Sequence, residues 1–182
     1  DGTSLTAAQV TAWVAGATAG ASITTSNTGM KYVGAVDVVD RMTKCEMESA
    51  VGDGEFIFKV DSAQNVTAVY DINSLTTITP EKGKMFTKNR VIRTIDNIAN
   101  DITSIFESNY VGKVNNNEDG RALLKGALAD YFATLQNMSA IQNFDTDDLT
   151  VVAGADSDAV VVTAAIQPVD SVEKIYITVN LS

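Results

Sequence analysis

FTKNRVIRTIDNIANDITSIFES, residues 86–108, carries the clearest structural signal in this chain of 182 residues. Ile92, Ile95, Ile98, Ala99, Ile102, Ile105 and Phe106 recur at three- and four-residue steps and make one apolar stripe. Arg90, Arg93, Asn97, Asp101 and Ser104 make the opposite stripe, so the stretch reads as an amphipathic helix from about Phe86 to Ser108. A second helix is expected from near Asn117, with Glu118 and Asp119 well placed against the dipole of its first turn. Its expected core face is Leu123, Ala127, Leu128, Tyr131, Leu135 and Met138.

Outward from this pair the period changes from helix to strand. Leu149 to Ala153, Ala159 to Ile166 and Val172 to Leu181 read as strands, and Ile175, Ile177, Val179 and Leu181 share one face of the last. On the N-terminal side, Phe56, Phe58 and Val60 alternate, as do Val66, Ala68, Tyr70 and Ile72, and the polar DSAQN between them reads as a hairpin loop. A short helix from Thr43 to Val51 should stop at Gly52-Asp53-Gly54. Asn27–Gly29 reads as a turn leading into a strand through KYVGAVDVV. Before it, Ser4 is expected to cap an alanine-rich helix whose apolar positions are Leu5, Val10, Trp13, Val14 and Ala17. The fold class is therefore α+β: antiparallel or mixed sheet elements with two long amphipathic helices packed over one face.

The net charge is −10 and unevenly distributed. Residues 1–80 hold nine acids and four bases, residues 81–136 seven acids and eight bases, and residues 137–182 seven acids and one base, Lys174. An acidic surface of this kind is repelled by phosphate backbones and anionic lipid, which argues against nucleic-acid partners. Histidine is absent and cysteine occurs once, at Cys45, which removes the commonest metal ligand, the commonest neutral-pH base and any internal disulfide. No apolar run approaches the roughly 20 residues of a membrane span, and the first residues lack a signal-peptide pattern. The missing initiator methionine points to a piece of a longer chain.

Motifs that could carry chemistry are incomplete. Asn115, Asn117, Asp119 and Gly120 match the start of a calcium loop, but its twelfth position, where a bidentate glutamate belongs, is Gly126. A helix N-terminus rich in capping residues is the simpler account. Asp145, Asp147 and Asp148 read as a solvated loop. Ser171-Val172-Glu173-Lys174 fits the S-x-x-K pattern, but it opens a strand, where residues three apart face opposite sides. Cys45 has no histidine to activate it and is expected to be a small buried helix residue. No phosphate-cradling glycine loop is present. No catalytic, cofactor or metal site is expected.

Two features remain. Lys82, Lys84, Lys88, Arg90 and Arg93 form a basic cluster at a helix start, where cations oppose the dipole; a solvated helix entry and a contact to an acidic neighbour both fit. IYITVNLS at the end is a strand able to join its own sheet or another molecule's.

Three stretches resemble tail sheath proteins of contractile phages and phage-tail-like bacteriocins of Gram-positive bacteria. They are FTKNRVIRTIDNIANDI, FESNYVGKVNNNEDGRALLKGALADYFATLQNMSAI and VVVTAAIQPVDSVEKIYITVNLS, with YVGKVNNNEDGR and IQPVDSVEKIYITV the most specific pieces. The resemblance implies that residues 81–182 are the sheath C-terminal domain and residues 1–80 the end of the domain before it. It also implies a structural subunit without catalysis, partnered by other sheath subunits, an inner tail tube and a baseplate. Such subunits, made in the bacterial cytoplasm, stack in hexameric rings and contract to drive the tube through a cell envelope. Rings are linked by strand exchange, which makes residues 172–182 the candidate arm, with Val172, Ile175, Tyr176, Ile177, Val179 and Leu181 as its contacts. The basic cluster becomes a candidate contact to the tube or a neighbour. A fragment without an N-terminal arm should be monomeric or weakly associated. The competing expectation is a non-catalytic acidic module recognising a basic protein; a carboxylate-only hydrolase needs two acids facing across a cleft.

Overall fold

The structure, a computed structural model, describes residues 2–180. It is α+β, with four α-helices and three two-stranded antiparallel sheets among the described residues. The chain divides into two compact units: Asp1–Ile92 together with Asp170–Ser182, and Arg93–Val169.

In the first unit, helix α1 (Ala7–Gly20) begins two residues later than a cap at Ser4 would place it. Its cap is Thr6 and not Ser4, because only Thr6 has a glutamine three residues on to complete a reciprocal capping box: the Thr6 amide donates to Gln9 Oε1 at 2.9 Å. No residue of α1 is buried, and its Trp13 stacks on Tyr32 at 4.6 Å and meets Phe58 edge-on. Helix α2 (Lys44–Gly52) has the same device in Thr43 and Glu46; just past its end, Gly54 takes a positive φ of 78° that a side chain would resist.

Strands β1 (Phe58–Val60) and β2 (Val66–Ala68) pair in the register Phe58 with Ala68 and Val60 with Val66. The loop between them is tied by Asp61, whose carboxylate accepts the amides of Ala63 and Asn65. Those bonds, the Asn65 amide foremost, hold its carboxyl below the usual aspartate range. On the other side of β2, Lys31 bridges to Thr67, while the Gly29 and Tyr32 amides donate to Ala68 and Val66. The strand expected through KYVGAVDVV stops there. Val33, Val36 and Val39 have no ladder partner among the described residues and stay exposed, since β propensity forms no strand without an edge to bond. Cys45, expected inside, is an exposed free thiol on α2.

A short 3-10 turn (Lys84–Thr87) leads into α3 (Asn89–Asn109), whose first turn belongs to the first unit. Asp71, 1% exposed, fixes this entry: its carboxylate accepts from Asn89 Nδ2 and from the Asn27 amide, both at 2.9 Å. Arg90, assigned to the polar stripe, is buried, as are Val91 and Thr94, so the start of the helix is covered on a face rotated from the isoleucine stripe, of which Ile98 is also buried.

In the second unit, α4 (Glu118–Asn137) is capped by Asn117, whose Oδ1 accepts the Gly120 amide at 2.9 Å. A Cβ at Gly120 would lie 2.0 Å from the Asn115 carbonyl, so the turn entering α4 requires glycine. Its buried face is Leu124, Leu128, Phe132 and Leu135; Leu123 and Met138, expected inside, are exposed. This face covers β3 (Ile141–Gln142) and β4 (Leu149–Ala153). β3 pairs with β6 (Gln167–Pro168), and β4 pairs with β5 (Val160–Ala164) in the register Leu149 with Ala164 and Val152 with Val161. Asp145 and Asp148, the supposed loop acids, cap a 3-10 turn before β4. Tyr131 donates to Asp101 Oδ2 at 2.8 Å; burial and this bond raise its phenol above the usual range.

Candidate functional site

The sequence from Asp170 onward has no ladder partner among the described residues. Val172, Ile175, Tyr176, Ile177 and Val179 are each between 76% and 89% exposed, and Leu181 lies outside the described residues. Five large apolar side chains in water within eight positions are costly for a monomer and characteristic of a surface awaiting cover. The amides and carbonyls of the segment are equally available for pairing.

What the segment is attached to is better defined. Glu173 turns its carboxylate into the first unit, where only 6% of the side chain is exposed. It accepts from Ser26 Oγ at 3.1 Å and Thr28 Oγ1 at 2.5 Å, and it pairs with the Lys88 ammonium. Two residues earlier, Arg90 Nη1 donates to Ser171 Oγ at 2.7 Å. Lys88 also lies 4.9 Å from the centre of the Tyr70 ring, a cation–π contact that helps hold the ammonium. A carboxylate with three convergent donors is a fixed point, and from the next residue to the end of the described chain every residue is exposed.

The basic cluster is thereby split. Lys82 and Lys84 are exposed, Lys88 and Arg90 are engaged with Glu173 and Ser171, and Arg93 is half-buried on α3. Ser171 and Glu173, read in the sequence only as part of an incomplete S-x-x-K, are the residues that root the segment. One signal was available. Glu173 shares the parity of Ile175, Ile177 and Val179, so an extended arm puts a charge on its own apolar face, where it needs a partner.

The β4–β5 hairpin offers the matching chemistry. Among the described residues it is a two-stranded sheet, so the outer edge of each strand is unpaired. Its turn is tied by Asn116, whose amide donates to the carbonyls of Ser157 and Ala159 at 3.0 and 2.8 Å. Val152, Val161 and Val162 are exposed on it. Among the described residues there is no cluster of His, Cys, Asp or Glu able to hold a metal, and no helix long and apolar enough to cross a membrane.

Comparison with known proteins agrees with this architecture. Residues 81–182 match the phage tail sheath C-terminal domain and residues 1–74 the phage tail sheath protein central domain. The whole chain is 38% identical to the phage-like element PBSX protein XkdK of Bacillus subtilis, of which it spans 41%. The crystal structure of the sheath tail protein from Desulfitobacterium hafniense is 50% identical and superposes with a TM-score of 0.85, over 97% of this chain and 41% of that one. The helical sheath of the anti-feeding prophage in its contracted state shares the fold alone, with 14% identity and a TM-score of 0.73 over 96% of this chain and half of the other. The chain thus spans about two fifths of the length of its nearer relatives, and it belongs to the phage tail sheath family.

Proposed function

We propose that this chain is the C-terminal portion of a contractile sheath subunit, which assembles around an inner tube and contracts to drive it through a cell envelope. The observation that carries it is the exposed, unpaired apolar segment rooted at Glu173, in a chain that also bears an open-edged β hairpin. Residues 172–182 act as an arm that adds to the β4–β5 sheet of a neighbouring subunit. Backbone bonds give affinity, and the alternation of Ile175, Ile177 and Val179 sets register. The work of contraction comes from the difference between two packings of one subunit, so no bond chemistry and no cofactor enter. The division at residue 81 marks where the C-terminal sheath domain begins.

Lys82 and Lys84 are the members of the basic cluster best placed to meet the tube or a neighbour, while Lys88 and Arg90 act on the arm root. The remaining partners are other sheath subunits and the baseplate, in a virion tail or tail-like particle. Electron microscopy of the full-length parent protein tests this. Striated hollow tubes that disappear when Val172–Ser182 is deleted are the expected result. Tubes that survive the deletion would remove the arm from the mechanism, and no tubes in any condition would remove the sheath role.

A further inference from the structure

The first unit contains an open cavity of about 660 Å³, bounded by α2, the segment 69–76 and residues 84–88. Its wall carries Met47, Val51, Leu75 and Ile78. Around these stand five lysines: Lys44, Lys59, Lys84, Lys88 and Lys174. Two are neutralised, Lys44 by Glu48 at 3.8 Å and Lys88 by Glu173. Lys59, Lys84 and Lys174 have no carboxylate within 4.0 Å among the described residues. In a chain of net charge −10, three uncompensated cations around a partly apolar hollow make a binding surface for an acidic segment with apolar shoulders.

The end of one hairpin has that chemistry. The end of the β4–β5 hairpin, Gly154–Ala159, carries Asp156 and Asp158, both exposed and without a side-chain partner among the described residues. Beside them, the cross-strand pair Val152 and Val161 presents two exposed apolar side chains on one face. The turn is held in shape, since the Gly154 amide donates to the Ala159 carbonyl at 2.8 Å and Asn116 clamps it from outside. A preorganised turn loses little entropy on docking. Several other acids are committed: Asp145 and Asp148 to capping, Asp37 to Arg41, and Asp71 and Glu173 to their buried contacts.

We infer that the lysine-rimmed cavity receives the β4–β5 hairpin end of a second copy of the chain, Asp156 and Asp158 meeting Lys59, Lys84 and Lys174. The occupant is another copy because a chain of net charge −10 is itself an acidic partner, and this contact sets an uncompensated basic hollow against an acidic tip. The inference depends on the sheath reading only in requiring that copies adjoin. The hairpin's edges remain free for an arm, so tip and edges serve different contacts.

Zero-length carbodiimide cross-linking of an equal mixture of ¹⁴N and ¹⁵N chain, at low salt and high concentration, tests it. Expected are mixed-isotope links from Lys59, Lys84 or Lys174 to Asp156 or Asp158, falling about fivefold or more at molar salt as charge is screened. Asp156→Lys with Asp158→Lys should abolish them. Mixing that variant with Lys59→Glu, Lys84→Glu chain should restore links, now between the two variants with polarity reversed. No intermolecular links, links from these lysines to other carboxylates, or purely intramolecular links would overturn the inference. Parent protein that still forms striated tubes after such a failure would leave the sheath reading standing. Correct links in a parent that never forms tubes would do the reverse.

Discussion

Glu173 concentrates more interactions than any other side chain near the exposed segment, and its removal should be felt there first. Glu173→Ala leaves Lys88, 18% exposed at the side chain, and the two hydroxyls without their acceptor. The expected cost is about 2 kcal/mol, as for other buried polar groups deprived of a partner. Hydrogen exchange should locate it: amides of residues 170–174 should exchange at least about tenfold faster, while those of α4 should not change. Protection unchanged at 170–174 would mean that the root is held by other contacts. Arg90 shows why this site was hard to read in the sequence. Its position on the polar stripe of α3 was plain, but the acceptor that draws it inward, Ser171, lies 81 residues away, and periodicity carries no information over that distance.

At the level of elements, local chemistry was legible and facing was not. The helix starts near Thr43 and Asn117, the hairpin loop at Asp61 and strand β4 follow from neighbours in sequence, although α1 is capped by Thr6 where Ser4 was expected. The face of α4 does not follow, because Leu123–Ala127 and Leu124–Leu128 are both i,i+4 pairs and only packing on β3 and β4 chooses between them. The choice is measurable. Leu124→Ala should cost about 2–5 kcal/mol in denaturant unfolding and Leu123→Ala less than about 0.5 kcal/mol, in keeping with burial of 3% against 60% exposure. Equal losses would restore the face expected from periodicity. Helix α2 should respond to acid. Its Glu46 carboxyl is held below the usual glutamate range chiefly by the Thr43 amide, so its contribution is present above the unfolded value of about 4.3. It is lost as pH falls through the lower folded value. In NMR titration the Glu46 midpoint should lie below that of a free glutamate, and the Thr43 amide shift should titrate with it; a normal midpoint would mean that the capping box is open in solution.

For the molecule as a whole, composition excluded a great deal and positioned very little. The absence of histidine and the solitary, exposed Cys45 are read from the sequence, whereas the two compact units, with residues 170–180 packing alongside the N-terminal portion, are a property of tertiary contacts. The exposed arm and a net charge of −10 act in opposite directions on association. In sedimentation the chain should therefore run as a monomer in dilute buffer, with apolar association through the arm favoured by salt that screens the net charge, even as the lysine–aspartate contact weakens. A stable hexamer under dilute conditions would overturn this expectation. The anchored root at Glu173 sets a length scale for any assembly built through the arm. Residues 174–180, fully extended, span at most about 25 Å. Wherever those residues insert, the accepting strand must stay inside that radius of its donor's Lys88, through every rearrangement of the two bodies. In the proposed exchange, this stretch acts as a tether: subunits that rotate and slide past one another keep a strand paired to residues 174–180 within that span of its donor's root.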